Sequence, residues 1–175
     1  MPAKNRYLFD SDGLIVARNL YYKPEFCPGF WSWLEEGHQA GVFFSIDKVK
    51  SELLGGSQPS VFADWIKKPE VDNFFVDSMS ALSKWQEISA WANFPGRNFT
   101  ASAKQKFLSA ESADAWLVAY AAKEEGITIV TNEVAAPESK TSIKVPDAAA
   151  ALAVPTISLV ACLALHAVGN FKFSN

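Results

Sequence analysis

The chain has 175 residues, a formal net charge of −3 with its two histidines neutral, and a hydrophobic fraction of 49%. That length supports a buried core without disulfide staples, and the acidic balance excludes a global basic field for nucleic acid, so any polyanion must be held by a local patch or by metal ions. Cys27 and Cys162 are the only cysteines. They sit in apolar settings at no zinc-ligand spacing, which predicts reduced core thiols in a cytoplasmic protein.

Met1 to Arg6 carries basic residues with no apolar run behind them, so no secretory signal is expected. Tyr7-Leu8-Phe9 is a continuous apolar run of the kind that forms a strand covered on both faces. It stops on Asp10-Ser11-Asp12, and a helix follows as far as Leu20. Ligands of open parallel sheets sit beyond the carboxyl ends of the strands, which is where Asp10 and Asp12 fall. Taken alone, Asp10 or Ser11 serves equally well as a helix cap. Phe26, Phe30, Trp31, Trp33 and Leu34 follow at helical spacing, a pattern more typical of core than of a base-stacking surface, and Gly41 ends that segment. Val42 to Ile46 is a second buried strand. Asp47 to Leu54 is a short helix closed by Gly55-Gly56, with Glu52 beside the inward stripe of Val49 and Leu53. Glu52 reads either as a second functional acid or as an exposed partner of Lys48.

Val61 to Ile66 is a further helical turn, and Phe74 to Val76 fits a short strand. Ser78 to Phe94 carries Leu82, Trp85, Ile88 and Ala92 at helical spacing until Pro95-Gly96 stops it. Arg97-Asn-Phe-Thr100, with Lys104 and Lys106, is the densest basic and aromatic mixture before the next acid, a weak nucleic-acid signal. Asp114 opens a strongly apolar helix, where the helix dipole alone would favour an acid, and Gly126 closes it. Ile127 to Val130 is the next buried strand and runs into Thr131-Asn132-Glu133, followed by a polar loop bearing Lys140 and Lys144. Ala148 to Val168 has the length of a membrane span. Pro155 divides it, however, into a helix, a Thr156–Ser158 strand and a second helix, so no span is expected. The whole reads as an α/β fold with a central parallel sheet, its right-handed crossovers placing helices on both faces.

The order of these acids resembles the PIN-domain ribonucleases over nearly the whole chain. Asp10-Ser11-Asp12 is similar to that family's opening Asp-Ser/Thr-Asn, and Lys50-Ser-Glu52-Leu to its short helix with a Glu. Asp114-Ala-Trp-Leu117-Val-Ala119-Tyr-Ala121 matches its Asp-x-x-Ile/Leu-x-Ala-x-Ala helix, and Thr131-Asn132-Glu133 its Thr-x-Asp/Asn. Phe26-Cys-Pro-Gly-Phe-Trp and Ile143-Lys-Val-Pro resemble an uncharacterised bacterial branch related to the VapC-like toxins of toxin-antitoxin systems. Asp12 stands in place of the usual Asn, and Glu133 is one methylene longer than the usual Asp.

The resemblance implies one PIN-like nuclease domain over residues 1–175, a three-layer α/β/α sandwich. It implies an endoribonuclease with Asp10, Glu52, Asp114 and Glu133 as catalytic acids. Asp10, Asp114 and Glu133 would bind Mg2+ or Mn2+, supported by Ser11, Asp12 and Thr131. Clustered carboxylates repel unless a hard divalent cation neutralises them, and such cations take oxygen ligands. Lys140 and Lys144 are candidates for phosphate contacts. His38 and His166 lie outside these motifs, so a histidine-based mechanism is disfavoured, and no Gly-rich phosphate loop occurs. A cognate antitoxin and a homodimer are the implied partners. A DNA-directed or structure-specific nuclease, or a catalytically weak binding module holding a structural ion, fits the same pattern.

Overall fold

The computed structural model describes residues 5–55 and 59–175. Five short strands build its central sheet: β1 (Arg6–Phe9), β2 (Phe43–Ile46), β3 (Phe75–Val76), β4 (Ile127–Val130) and β5 (Thr156–Ile157). Their spatial order is β3-β2-β1-β4-β5 and every pairing is parallel. Parallel neighbours need crossovers, and helices supply them: α1 (Ser11–Val16), α2 (Pro28–Gln39), α3 (Asp47–Gly55), α4 (Pro59–Ile66), α5 (Leu82–Asn93), α6 (Ala101–Phe107), α7 (Asp114–Lys123) and α8 (Val145–Ala151), with α9 (Leu159–His166) following β5. The predicted α/β/α sandwich is the observed architecture. Gly56, half of the expected stop after α3, and the first four residues lie outside the described residues.

Side chains alternate across a strand, and β1 uses both faces. Phe9 meets Trp33 of α2 with ring centroids 6.2 Å apart and Phe43 at 5.1 Å, while Phe43 meets Trp33 at 4.7 Å. On the other face Phe44 lies against Tyr120 of α7 at 5.9 Å. Helix α2 therefore covers one face and α7 the opposite one. Both faces are apolar, which is why the strands read as unbroken hydrophobic runs rather than alternating ones. Burial pushes the Cys162 thiol up to about 12, as expected of a core thiol, whereas Cys27 is also free but only half-buried.

Helix α2 approaches β2 so closely that only glycine fits at position 37. A Cβ there would stand 2.0 Å from Cδ2 of Phe43, a ring already wedged among Tyr7, Phe9 and Trp33. The same glycine's carbonyl accepts the Val42 N–H at 2.9 Å, leading the chain into β2.

Some expectations change in detail. Phe26 is 64% exposed and lies in the turn before Pro28, outside the buried stripe of α2. The segment from Ser78 opens with a 3-10 turn, Ser78–Ala81, before α5 begins. Leu82, the first residue of α5, is 42% exposed, while Ile88 and Ala92 stay buried and Trp85 stacks on Trp116 with centroids 5.5 Å apart. Pro155 does divide the C-terminal apolar run, and among the described residues no helix is long and apolar enough to cross a membrane. A two-stranded antiparallel pair, β6 (Ala167–Val168) and β7 (Lys172–Phe173), ends the chain and was not expected.

Gly37→Ala should cost about 2–3 kcal/mol through overpacking against Phe43 and lower the melting temperature by roughly 4–12 °C. Gly55→Ala, whose added methyl meets nothing within 4 Å, serves as the control and should not lower it. Thermal unfolding that places both variants together would contradict this account of the α2–β2 contact.

Candidate active site

Strands β1 and β4 are neighbours in register, with Phe9 beside Val130. From that pair the chain builds outward, β2 and β3 on one side and β5 on the other. The gap between their carboxyl ends is thus the topological switch point where open α/β sheets bind ligands. The Asp10 N–H donates to the Val130 carbonyl at 3.0 Å, continuing the ladder one step beyond the strands. This puts Asp10 and Thr131 side by side on the rim.

Asp10 is only 4% exposed. Its Oδ1 accepts the Ser11 N–H at 2.7 Å, so it does cap α1, and its Oδ2 accepts the Thr131 hydroxyl at 2.9 Å. Capping and the rim position are both true of it. Thr131 Oγ1 also accepts the Glu133 N–H at 3.2 Å, fixing the turn after β4. Asp12 accepts the Asn132 N–H at 3.0 Å, and the Asn132 side-chain carbonyl accepts the Leu159 N–H at 3.1 Å at the start of α9.

Glu52 turns toward the site and away from Lys48. Its Oε2 accepts the Ser11 hydroxyl at 2.5 Å and its Oε1 the Ala113 N–H at 2.8 Å. One carboxylate thereby ties the start of α1 to the start of α7, where Asp114 is the first helical residue. Ser45 is a site residue that the sequence did not reveal. Fully buried, it donates its hydroxyl to the Phe9 carbonyl at 2.6 Å and holds the end of β1 in place. A lone serine inside an apolar strand carries no motif that would have singled it out.

Three of these carboxylates, Asp10, Asp12 and Asp114, hold their protons unusually firmly. Burial, then the charges of Asp12 and Asp114, raise the Asp10 carboxyl well above its usual range, against the hydrogen bonds from Thr131 and Ser11. Burial also raises Asp12, opposed by the Gly13 and Asn132 amides. Asp114 is pushed up to about 6 by burial and then by Glu133 and Glu52, with Lys106 and Lys144 pulling the other way.

Glu133 is placed differently from the other acids. Its Oε1 receives the Lys144 ammonium at 2.9 Å and its Oε2 the Val145 N–H at 2.8 Å. Lys144, expected to meet phosphate, is thus paired with one of the candidate metal ligands. Glu133, Asp114, Lys144 and Lys106 nevertheless line one polar cavity of about 160 Å³. Lys140 lies farther along the same segment against the Phe99 ring. The histidines are structural: His38 bonds the Phe43 and Asp72 carbonyls, and His166 bonds that of Ser174.

Among the described residues, no group of three or more His, Cys, Asp or Glu side chains stands arranged to hold a metal ion. The donor chemistry does fit a hard cation. Asp10, Asp12 and Asp114 offer only oxygen, and a divalent ion would relieve the burial and repulsion that raise them. Glu133 would first have to give up Lys144.

The chain belongs to a family described as a domain of unknown function, DUF4411, whose model matches residues 7–168. The match spans β1 through β6 and therefore every acid described above. No curated protein and no solved structure matches the chain.

The raised Asp114 carboxyl makes the metal-free fold less stable as pH rises. Its folded value of about 6 exceeds the ordinary aspartate value of about 3.9, so its contribution is fully present below about pH 4 and is lost as pH rises through 6. Asp114→Asn should raise the melting temperature in chelator at pH 7.5, a gain of about 1–3 kcal/mol, and the gain should fade by pH 4. A gain of equal size at both pH values would contradict the assignment.

Proposed function

We propose that this chain is a metal-dependent endoribonuclease, the cytoplasmic toxin of a toxin-antitoxin pair. The observation that carries the reading is the convergence of Asp10, Asp12 and Asp114 at the β1/β4 switch point, each with its proton affinity raised. Sites tuned in this way are where chemistry concentrates. The order of acids that resembles the PIN-domain ribonucleases supports the same conclusion.

In this reading Asp10, Asp114 and Glu133 hold Mg2+ or Mn2+, with Asp12 at its edge. Such a cation supplies charge neutralisation for a phosphodiester and lowers the pKa of water. The remaining residues position. Thr131 and the Ser11 amide fix the Asp10 carboxylate, and Glu52 sets α7, and with it Asp114, against α1. Glu52 acts as a brace, since its two oxygens tie the Ser11 hydroxyl to the Ala113 N–H. Lys144 and Lys106, in the same cavity as Asp114, offer ammonium groups to a phosphate, and Lys140 extends that basic edge. The proposal includes a cognate antitoxin and a homodimer, both from the family resemblance. The Glu133–Lys144 pair favours one second reading, a catalytically weak binding module in which the acids hold a structural ion.

Purified protein with labelled RNA and labelled DNA, in Mn2+, Mg2+ or chelator, separates these readings. Metal-dependent RNA cleavage is expected. Thr131→Val should reduce it by roughly 10–100-fold, as loss of a ligand-orienting bond does, and Asp10→Asn or Asp114→Asn by more. Mn2+ should raise the melting temperature of the parent more than that of either Asn variant. Full activity in those variants overturns the reading, and preferential DNA cleavage moves it to the DNA-directed nuclease. Metal stabilisation without cleavage favours the binding module.

A further inference from the structure

The segment that follows Glu133 walls two cavities. Thr141 to Lys144 line the acidic one, and Pro137 and Lys140 line a second of about 220 Å³ together with Trp91, Arg97 and Phe99. The second cavity is floored by aromatic rings and edged by cations. Trp91 of α5 and Phe99 stand with centroids 5.6 Å apart at 57°. The Arg97 guanidinium lies 4.9 Å from the Trp91 ring centre and the Lys140 ammonium 6.0 Å from that of Phe99. Neither cation is paired with a carboxylate among the described residues. In a chain with 19 acidic and 16 basic side chains, two unpaired cations on one aromatic cavity are a local reversal of charge.

The backbone holds this arrangement together. Asn98 adopts φ 57°, a left-handed conformation that Asn tolerates, after the 3-10 turn Pro95–Arg97. Phe99 is thereby returned to the side of Trp91. The next residue, Thr100, donates its N–H to the Lys140 carbonyl at 2.9 Å and accepts the Ala103 N–H at 3.2 Å as the cap of α6. Helix α6 in turn gives Lys106 and Phe107 to the acidic cavity. The two cavities therefore share the segment after Glu133 and the stretch from Phe99 to Phe107. Asp147 supplies a polar edge: its Oδ2 takes the Ala136 N–H at 2.8 Å, and its Oδ1, without a partner among the described residues, can accept from a base amino group.

We propose that this second cavity is a nucleotide subsite for a single strand, in which a base lies against Trp91 and Phe99 while Arg97 and Lys140 meet the flanking phosphates. Aromatic faces and unpaired cations are the two features by which single-stranded nucleic acid is held. As a substrate subsite it rests on the proposed nuclease reading; as a binding site it does not.

The test is binding of a labelled single-stranded RNA 12-mer in chelator, with single-stranded DNA, duplex RNA and an abasic ribose-phosphate strand of the same length. Phe99→Leu and Trp91→Leu should each weaken single-strand binding by about 5–100-fold. Arg97→Gln should lower the slope of log K against log salt by about 0.7, the share of one phosphate contact. The abasic strand and the duplex should bind weakly to the parent. Near-ultraviolet circular dichroism reports whether each variant is folded, and Phe99→Leu with Arg97→Gln decide the matter should Trp91→Leu not fold. Preference for RNA or for DNA identifies which strand the subsite takes. Unchanged binding in Phe99→Leu and Arg97→Gln, or equal binding of the abasic strand, overturns the subsite. Base-dependent binding in a protein that cleaves nothing overturns the nuclease reading and leaves the subsite standing.

Discussion

The pairing of β1 with β4 carries Asp10 and Thr131 off the sheet together, and the rest of the candidate site is assembled on that pair. Because Phe9 and Val130 are in register, the Thr131 hydroxyl meets the Asp10 carboxylate directly. The turn that Thr131 fixes then delivers Asn132 to Asp12 and Glu133 to Lys144. Residues more than a hundred positions apart become neighbours through one ladder of backbone hydrogen bonds. The apolar layers on either side, α2 with Trp33 and α7 with Tyr120, keep that ladder away from water.

Such a rim is electrostatically costly. Asp10 is buried beside Asp12 and Asp114, and the raised proton affinities of all three measure that cost. The protein offsets it only in part, through the amides of Ser11, Gly13 and Asn132, the Thr131 hydroxyl and the more distant Lys106 and Lys144. Glu52 adds to the negative charge yet also braces the site, since its two hydrogen bonds lock the starts of α1 and α7. A strained charge distribution supported by a rigid frame is what a preorganised binding site requires. It is also what makes the proposed cation chemistry a natural completion of the fold.

Most of the frame was legible in the sequence, because strands buried on both faces announce themselves as apolar runs and Pro155 cannot continue a helix. Asp10, Asp114 and Glu133 were legible because each abuts a strand or helix end. What could not be read were pairings across the fold. Glu52 was equally compatible with Lys48 four residues away, and only the tertiary structure turns it to Ser11 and Ala113. Lys144 appeared as a free loop cation, whereas the start of α8 brings it and the Val145 amide onto Glu133. Strands β6 and β7, two residues each, are too short to show alternation. The Trp91–Phe99 cavity depends on a left-handed Asn98 that helical and strand periodicities do not register.

The central claim is that the carboxylates at the β1/β4 switch point form the divalent-cation site of this chain. Paramagnetic broadening of backbone amide resonances by substoichiometric Mn2+ tests it most directly. The account predicts broadening centred on residues 10–12, 114 and 131–133, and its disappearance there in Asp10→Asn. Broadening centred on the exposed acids at Glu124 and Glu125, or a pattern unchanged by Asp10→Asn, would contradict it.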